Sequence, residues 1–166
     1  MNKRFFLIAV LLTCTGFVHA TNLQTVDANT PTPALKLQDL TGKEHNLNQY
    51  KGQIVLVQFW ATYCTPCRKE MPSMNNLMKK MGKTPFKILA VNMGETEDEV
   101  KTFVHEVKPA FTILMDPDGS SIADWRVFAA PSNFVIGPDG KLRYTLFGGV
   151  EWDSDELVVK LKTLAQ

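Results

Sequence analysis

Two cysteines separated by two residues, in Cys64-Thr65-Pro66-Cys67, are the side chains of this sequence best placed to do chemistry. Thiols at that spacing can close a ring with each other, and a thiolate can attack a disulfide in another molecule. The flanking residues decide which sulfur does which. Gln53 to Trp60 (QIVLVQFW) is a nearly continuous apolar run. It is too short for a helix and rich in β-branched and aromatic residues, so it reads as a buried central strand. Pro66 then opens a helical pattern, where its missing N–H costs nothing. This handover places Cys64 at a helix N-terminus, where unpaired N–H groups and the positive end of the helix dipole stabilise an anion. Its thiol is therefore expected to ionise more readily than a free one and to act as the nucleophile. Cys67 lies one turn further in. It can reach Cys64 but is less exposed, which assigns it the resolving role.

Other uses of the pair are less well supported. A zinc site needs about four ligands. Apart from Cys14 and His19 near the N-terminus, the sequence offers no further cysteine and only two separated histidines, His45 and His105. A purely structural disulfide closing so small a ring would restrict the unfolded chain little. No metal or cofactor is expected.

The chain has 166 residues, which suits one domain. Charged residues at 21% and hydrophobic residues at 45% describe a folded globular chain. A formal charge of +1 provides no basic excess for displacing counterions from phosphates, so nucleic acid is not an expected partner. Residues 1–20 carry Lys3 and Arg4, then an apolar stretch from Phe5 to Leu12, and end Val18-His19-Ala20. That is the layout of a cleaved secretory signal. The stretch is short for a membrane span, which wants about 20 residues. A lipidated Cys14 is disfavoured by the Thr13 before it. Losing the signal removes two basic residues and no acidic one, turning +1 into −1. It also leaves Cys64 and Cys67 as the only thiols, in an exported protein whose surroundings are oxidising.

Residues 21–33 (TNLQTVDANTPTP) are polar with two prolines and read as a flexible leader, so the domain is expected to span 34–166. A short strand near Leu35 to Leu40 turns at Thr41-Gly42-Lys43, and a helical turn over Asn46 to Tyr50 precedes the central strand. Met71, Met74, Leu77, Met78 and Met81 share one helix face, with Gly82 as the stop. That spacing favours core filling over soft-metal binding by the thioethers. Phe86 to Met93 is a second buried strand. Thr96 to Glu99 is a capping box, and the acidic run Glu95 to Glu99 reads as a solvated helix start with an apolar face at Val100, Phe103, Val104 and Val107. Thr112 to Met115 is a strand, Ser120 to Trp125 a short helix, and Ser132 to Ile136 with Lys141 to Phe147 a hairpin about Gly137-Pro138-Asp139-Gly140. Glu156 to Leu164 closes the chain as a helix. The order β-α-β-α-β-β-α gives an α/β fold, a mixed sheet with helices on both faces.

The stretch Gln58 to Pro72 (QFWATYCTPCRKEMP) resembles the active-site segment of the thioredoxin superfamily, and more narrowly that of the TlpA/ResA-type exported thiol–disulfide oxidoreductases. The resemblance runs from about Leu35 to the C-terminus. It includes an early hairpin-like segment ending at Tyr50-Lys51-Gly52 and an extra strand–helix unit over Phe86 to Val107. It implies that Pro131, in Ala130-Pro131-Ser132, is a cis-proline facing the cysteine pair, with the Ala130 backbone presented to a substrate strand. Ala130 departs from the Val or Thr common at this place, so no redox tuning is transferred to it. Glu70 matches the acidic residue of a C-x-x-C-x-x-E pattern. A carboxylate there could relay the Cys67 proton, or could be a solvated helix residue. Gln58 stands where cytosolic thioredoxins carry a buried Asp and cannot titrate. Trp60, Tyr63 and Pro66 flank the attacking sulfur and are expected to wall the substrate groove, with core packing as the alternative for Trp60. Gly148-Gly149 would either admit a partner's backbone or end a strand.

The function so implied is reduction of disulfides in partner proteins by a monomeric enzyme, at the periplasm or cell exterior. The resemblance also implies a membrane electron donor of the DsbD/CcdA type and a task in cytochrome c maturation. A disulfide-introducing oxidase and a non-catalytic docking module are the other classes. The missing large helical insertion argues against the first, and the intact cysteine pair against the second. A peroxidase with a single loop cysteine fits less well still.

Overall fold

The computed structural model describes residues 23–166. The expected secretory signal and Cys14 lie outside the described residues. One eight-stranded sheet runs through the molecule. In chain order its strands are β1 (Gln24–Thr25), β2 (Lys36–Asp39), β3 (Glu44–Asn46), β4 (Ile54–Trp60), β5 (Phe86–Asn92), β6 (Thr112–Met115), β7 (Ser132–Ile136) and β8 (Leu142–Phe147). Their spatial order is β1-β8-β7-β4-β5-β6-β2-β3. The helices are α1 (Thr65–Met81), α2 (Glu97–Val107), α3 (Ser120–Asp124) and α4 (Asp155–Lys162). Leu47–Tyr50 and Thr163–Ala165 form 3-10 turns.

Strand β4 is buried at every position and lies between parallel β5 and antiparallel β7. Its alternate residues feed two cores. Ile54, Leu56 and Trp60 meet the apolar faces of α1, α2 and α4, while Val55, Val57 and Phe59 pack with Trp125, Phe134 and Leu142 on the opposite face. Gln58 is the one polar residue of the strand. Both faces being covered explains why β4 reads as a continuous apolar run. On α1 the methionine stripe fills the core: Met71, Met74 and Met81 are buried with Leu77. Gly82 ends the helix at φ +58, a conformation suited to glycine. Thr96 and Glu99 form the expected reciprocal cap of α2.

The segment expected as a flexible leader is instead tied to the domain over its described part. Leu23 is buried, Gln24–Thr25 pairs with Thr145–Tyr144 of β8, and the Val26 N–H donates to the Arg143 carbonyl. Further along, Thr32 Oγ1 accepts from the Leu142 N–H, and the Ala34 carbonyl accepts from Trp125 Nε1. The prolines and polar residues that suggest a linker here suit an edge strand, which needs only one row of ladder bonds. The early hairpin is completed by β3, and a buried polar knot holds it together. His45 bridges Asp39 and Tyr50 through its two ring nitrogens, at 2.8 and 2.5 Å.

Candidate active site

The Cys64–Cys67 pair forms a disulfide with an S–S distance of 2.01 Å, so the structure is that of the oxidised form. Both sulfurs sit where β4 gives way to α1. Cys64 is the N-cap of α1, and its Sγ accepts the Cys67 N–H at 3.2 Å. A side-chain acceptor at this position satisfies one of the donors that every helix start leaves open. The same contact stabilises a thiolate once the disulfide opens. Pro66, at the second helical position, takes one N–H out of that first turn. Cys67 is fully buried, whereas Cys64 keeps 7% of its surface. An incoming sulfur therefore meets Cys64 first.

Two other segments rim the pair. The Ala130–Pro131 bond is cis. Ser132 pairs with Phe59, so Pro131 stands at the sheet end where β4 delivers Trp60 and the cysteines. The Pro131 carbonyl accepts the Gly148 N–H at 2.9 Å, joining this loop to the one after β8. Gly149 lies against the helix start: a Cβ there would come within 3.3 Å of Pro66 Cβ and 3.7 Å of Glu70 Oε2. No positive φ calls for glycine at this position. Its role is close approach to Pro66.

Of the expected groove residues, Tyr63 is 78% exposed and Pro66 is exposed. Tyr63 walls an open groove of about 440 Å³ between α1 and α2, lined also by Arg68, Asp98 and Glu106. Ala130 is partly buried. Trp60 is placed differently. It is fully buried and packs on Phe103 of α2 with ring centroids 4.6 Å apart, so it supports the site from the core and does not wall the groove. As the last β4 residue on the α1/α2 face, it points inward by the strand's own alternation. Arg68 lies over the outer face of Phe103 at 4.4 Å and bonds Glu106 at 2.8 Å.

Glu70 is buried to 2% exposure, one helical turn after Cys67. It is not a solvated helix residue. The Gln58 amide donates to its Oε1, and the Val150 N–H donates to its Oε2 at 3.1 Å. Burial pushes its pKa up to about 7. The Val150 and Gln58 donors, together with the nearby Trp152 indole, work against that rise, while Glu151 adds to it. The Trp152 N–H lies close enough to favour the charged form yet outside hydrogen-bonding geometry. Gln58 thus replaces a second titratable group with a neutral donor aimed at the first.

Sequence reasoning missed Glu95. Its Oε2 accepts from the Thr62 N–H and from Asn92 Nδ2, both at 2.7 Å, and its Oε1 accepts from the Thr62 hydroxyl at 2.5 Å. It fixes the backbone two residues before Cys64. The available signal was its place just after the C-terminal end of β5, the parallel neighbour of β4. Among the described residues, no group of His, Cys, Asp and Glu is arranged to hold a metal ion.

A Cys64 that caps a helix N-terminus and keeps a sliver of accessible surface, a fully buried Cys67 and a cis-proline loop at the same sheet end define a thioredoxin-fold thiol–disulfide oxidoreductase. Comparison with known proteins agrees: residues 28–145 match the AhpC/TSA family, and the chain belongs to it. It is 32% identical over 170 residues to the thiol–disulfide oxidoreductase ResA of Bacillus thuringiensis subsp. konkukian, covering 98% of this chain and 97% of that relative. ResA of Geobacillus kaustophilus is 34% identical over 149 residues, covering 87% and 86% respectively. A Chlorobium tepidum crystal structure assigned as the thiol:disulfide interchange protein DsbE superposes with a TM-score of 0.77 at 28% identity, over 85% of this chain and 99% of that one.

Proposed function

We propose that the protein is an exported reductase of protein disulfides, with Cys64 as nucleophile, Cys67 as resolving thiol and Glu70 as the acceptor of the Cys67 proton. The observation that carries this reading is the asymmetry of the pair. Cys64 caps the helix and keeps 7% of its surface, while Cys67 keeps none and lies one turn from a carboxyl whose pKa burial raises to about 7. In the reduced enzyme the Cys64 thiolate attacks one sulfur of a partner's disulfide. The Cys64–partner bond forms, the partner's S–S bond breaks, and the released thiolate takes a proton from water. Cys67 then gives its proton to the Glu70 carboxylate and attacks Cys64. The mixed disulfide breaks, the second partner sulfur leaves as a thiolate that takes a proton from water, and the two electrons of the dithiol have passed to the partner.

Charge supports the reducing direction. A dithiol becomes a strong oxidant when its reduced form is over-stabilised. Here the dipeptide between the cysteines is Thr65-Pro66, without a cation, and the nearest buried ionisable group is acidic. An ionised Glu70 disfavours a second negative charge on Cys67. Both features favour the disulfide and hence a reducing couple. An extended partner segment would lie along the Ala130–Pro131 backbone, bounded by Tyr63 and Pro66. We place the enzyme outside the cytoplasm through residues 1–20, as a monomer whose catalytic domain spans 34–166 with 23–33 docked on it. A reductant in an oxidising compartment needs re-reduction, for which a membrane donor of the DsbD/CcdA type is suited. Keeping apocytochrome c thiols reduced is a task matching that chemistry.

The experiment that tests this assignment is Cys67→Ser. The variant keeps the nucleophile but cannot resolve, so it is expected to accumulate mixed disulfides with its native partners, visible as reductant-sensitive bands on non-reducing gels. A variant that gives no such bands while Cys64 stays reactive removes the resolving role from Cys67.

A further inference from the structure

A second polar layer lies behind Glu70. Asn133 sits within β7 with 1% of its surface exposed, and neither Oδ1 nor Nδ2 has a hydrogen-bond partner among the described residues. It stands directly opposite Gln58 in the β4–β7 pair, so the two amides project as neighbours from one face of the sheet. Gln58 directs its Nε2 to Glu70 and to Met74 Sδ, leaving its own Oε1 unpartnered. Trp152, which meets α1 through its backbone N–H on Ser73 Oγ, holds an unpartnered indole N–H close to Glu70. Two acceptors and two donors, all buried, therefore flank Glu70 directly or through Gln58. Buried polar atoms are almost always bonded, and a bare one costs its full desolvation. An apolar residue at 133 would face Leu146 of β8 at no such cost.

The surroundings of Glu70 say what this layer is for. Its close polar neighbours, Gln58 Nε2, the Val150 N–H and the Trp152 N–H, are all donors. They suit a carboxylate. A carboxylic acid must also donate its O–H, and with Gln58 turned to present Nε2 to both Glu70 and Met74 none of these three accepts it. Water can do both, and a buried water needs two to four polar partners. We propose that Gln58, Asn133 and Trp152 form an internal water site behind Glu70, and that Asn133 is a positioning residue whose water turns from donor to acceptor as Glu70 takes up the Cys67 proton. This rests on the reading of Glu70 as that proton's acceptor. The step is balanced: the S–H bond of Cys67 breaks, the O–H bond of Glu70 forms, and the water only reorients. The titratable group bearing on Glu70 is Glu151, in the loop after β8; Cys67, one turn earlier on the same helix, joins it once the disulfide is reduced. β4 and β7 contribute only the neutral Gln58 and Asn133.

The test is NMR on the whole soluble chain, native and Asn133→Leu, combined with single-turnover oxidation by a protein disulfide. In the native protein the Trp152 indole and Asn133 amide protons should cross-relax with a long-lived water. In Asn133→Leu the Trp152 contact with water should vanish and the carbon-13 titration midpoint of Glu70 should move down, because the acid loses the acceptor of its O–H while the carboxylate keeps its three donors. The resolving step should slow at least about tenfold at pH 7, the scale of a misplaced proton acceptor. The urea midpoint should hold or rise, a combination a merely structural residue would not give. Absence of the water contacts in the native protein overturns the proposal even should the variant not fold, since Gln58 and Asn133 would then satisfy each other directly. So does an Asn133→Leu protein with an unmoved Glu70 midpoint and rate. Failure of the underlying Glu70 reading looks different: Glu70→Gln would leave the resolving rate unchanged while the native water contacts persist, and the water would lose its function.

Discussion

Cys64→Ser is expected to stop reduction of insulin disulfides altogether, to the rate of the buffer thiol alone. The loss is total because the step is covalent. A serine hydroxyl cannot form the mixed disulfide, and Cys67, with none of its surface exposed, cannot take over the attack. The fold should survive, since the N-cap oxygen of serine accepts the Cys67 N–H as the sulfur does. The variant does lose the small stabilisation of a short disulfide loop. Far-UV circular dichroism and a urea midpoint near that of the reduced native protein would show that chemistry alone was lost. Appreciable insulin reduction by Cys64→Ser would place the nucleophile elsewhere.

Replacing Glu70 by glutamine should produce the largest change in stability, with a sign that depends on pH. The folded carboxyl keeps its proton up to about pH 7, whereas the unfolded one loses it near its ordinary value of 4.5. Between those values the folded state binds more protons, so stability falls as pH rises. The contribution of the protonated form is complete below about 4.5 and is lost as pH climbs through 7. A shift of this size corresponds to roughly 3 kcal/mol at about 1.4 kcal/mol per pH unit. Glu70→Gln, always neutral, should therefore be more stable than the native protein by up to about that amount at pH 8. At pH 4 the two should be nearly equal. Urea titrations at the two pH values read the difference. A gap that is flat with pH would mean that Glu70 does not hold its proton in the fold. The same variant should slow the resolving step by on the order of a hundredfold at neutral pH, the usual worth of a positioned proton acceptor.

Much of the architecture could be read from local pattern. The run Ile54 to Trp60 can only be a strand buried on both faces. Pro66 and Gly82 punctuate α1, and Thr96 with Glu99 caps α2. Each of these signals lies within one element. What escaped depends on pairing between distant segments. Strand β1 has two residues and exists because β8 has a free edge for it, so nothing in residues 21–33 announces it. Trp60 beside the cysteines suggested a groove wall, but the alternation of β4 turns its ring onto Phe103, 43 residues away in sequence. Glu95 looked like one more member of a solvated acidic run until the fold brought Thr62 to its carboxylate. Glu70 was ambiguous for the same reason. Its burial is supplied by Gln58, Val150 and Trp152, which the sequence places at three separate points along the chain. Asn133 carries no local signal, since a single polar residue inside an apolar strand is also what a half-exposed strand shows.

The reduction potential of the Cys64–Cys67 couple, measured against a glutathione or dithiothreitol redox buffer, tests the central claim most directly. A reductant requires a value of about −270 mV, the range of thioredoxin, or lower. A value near about −120 mV, where disulfide-donating proteins lie, would contradict the account and make the same site an oxidase.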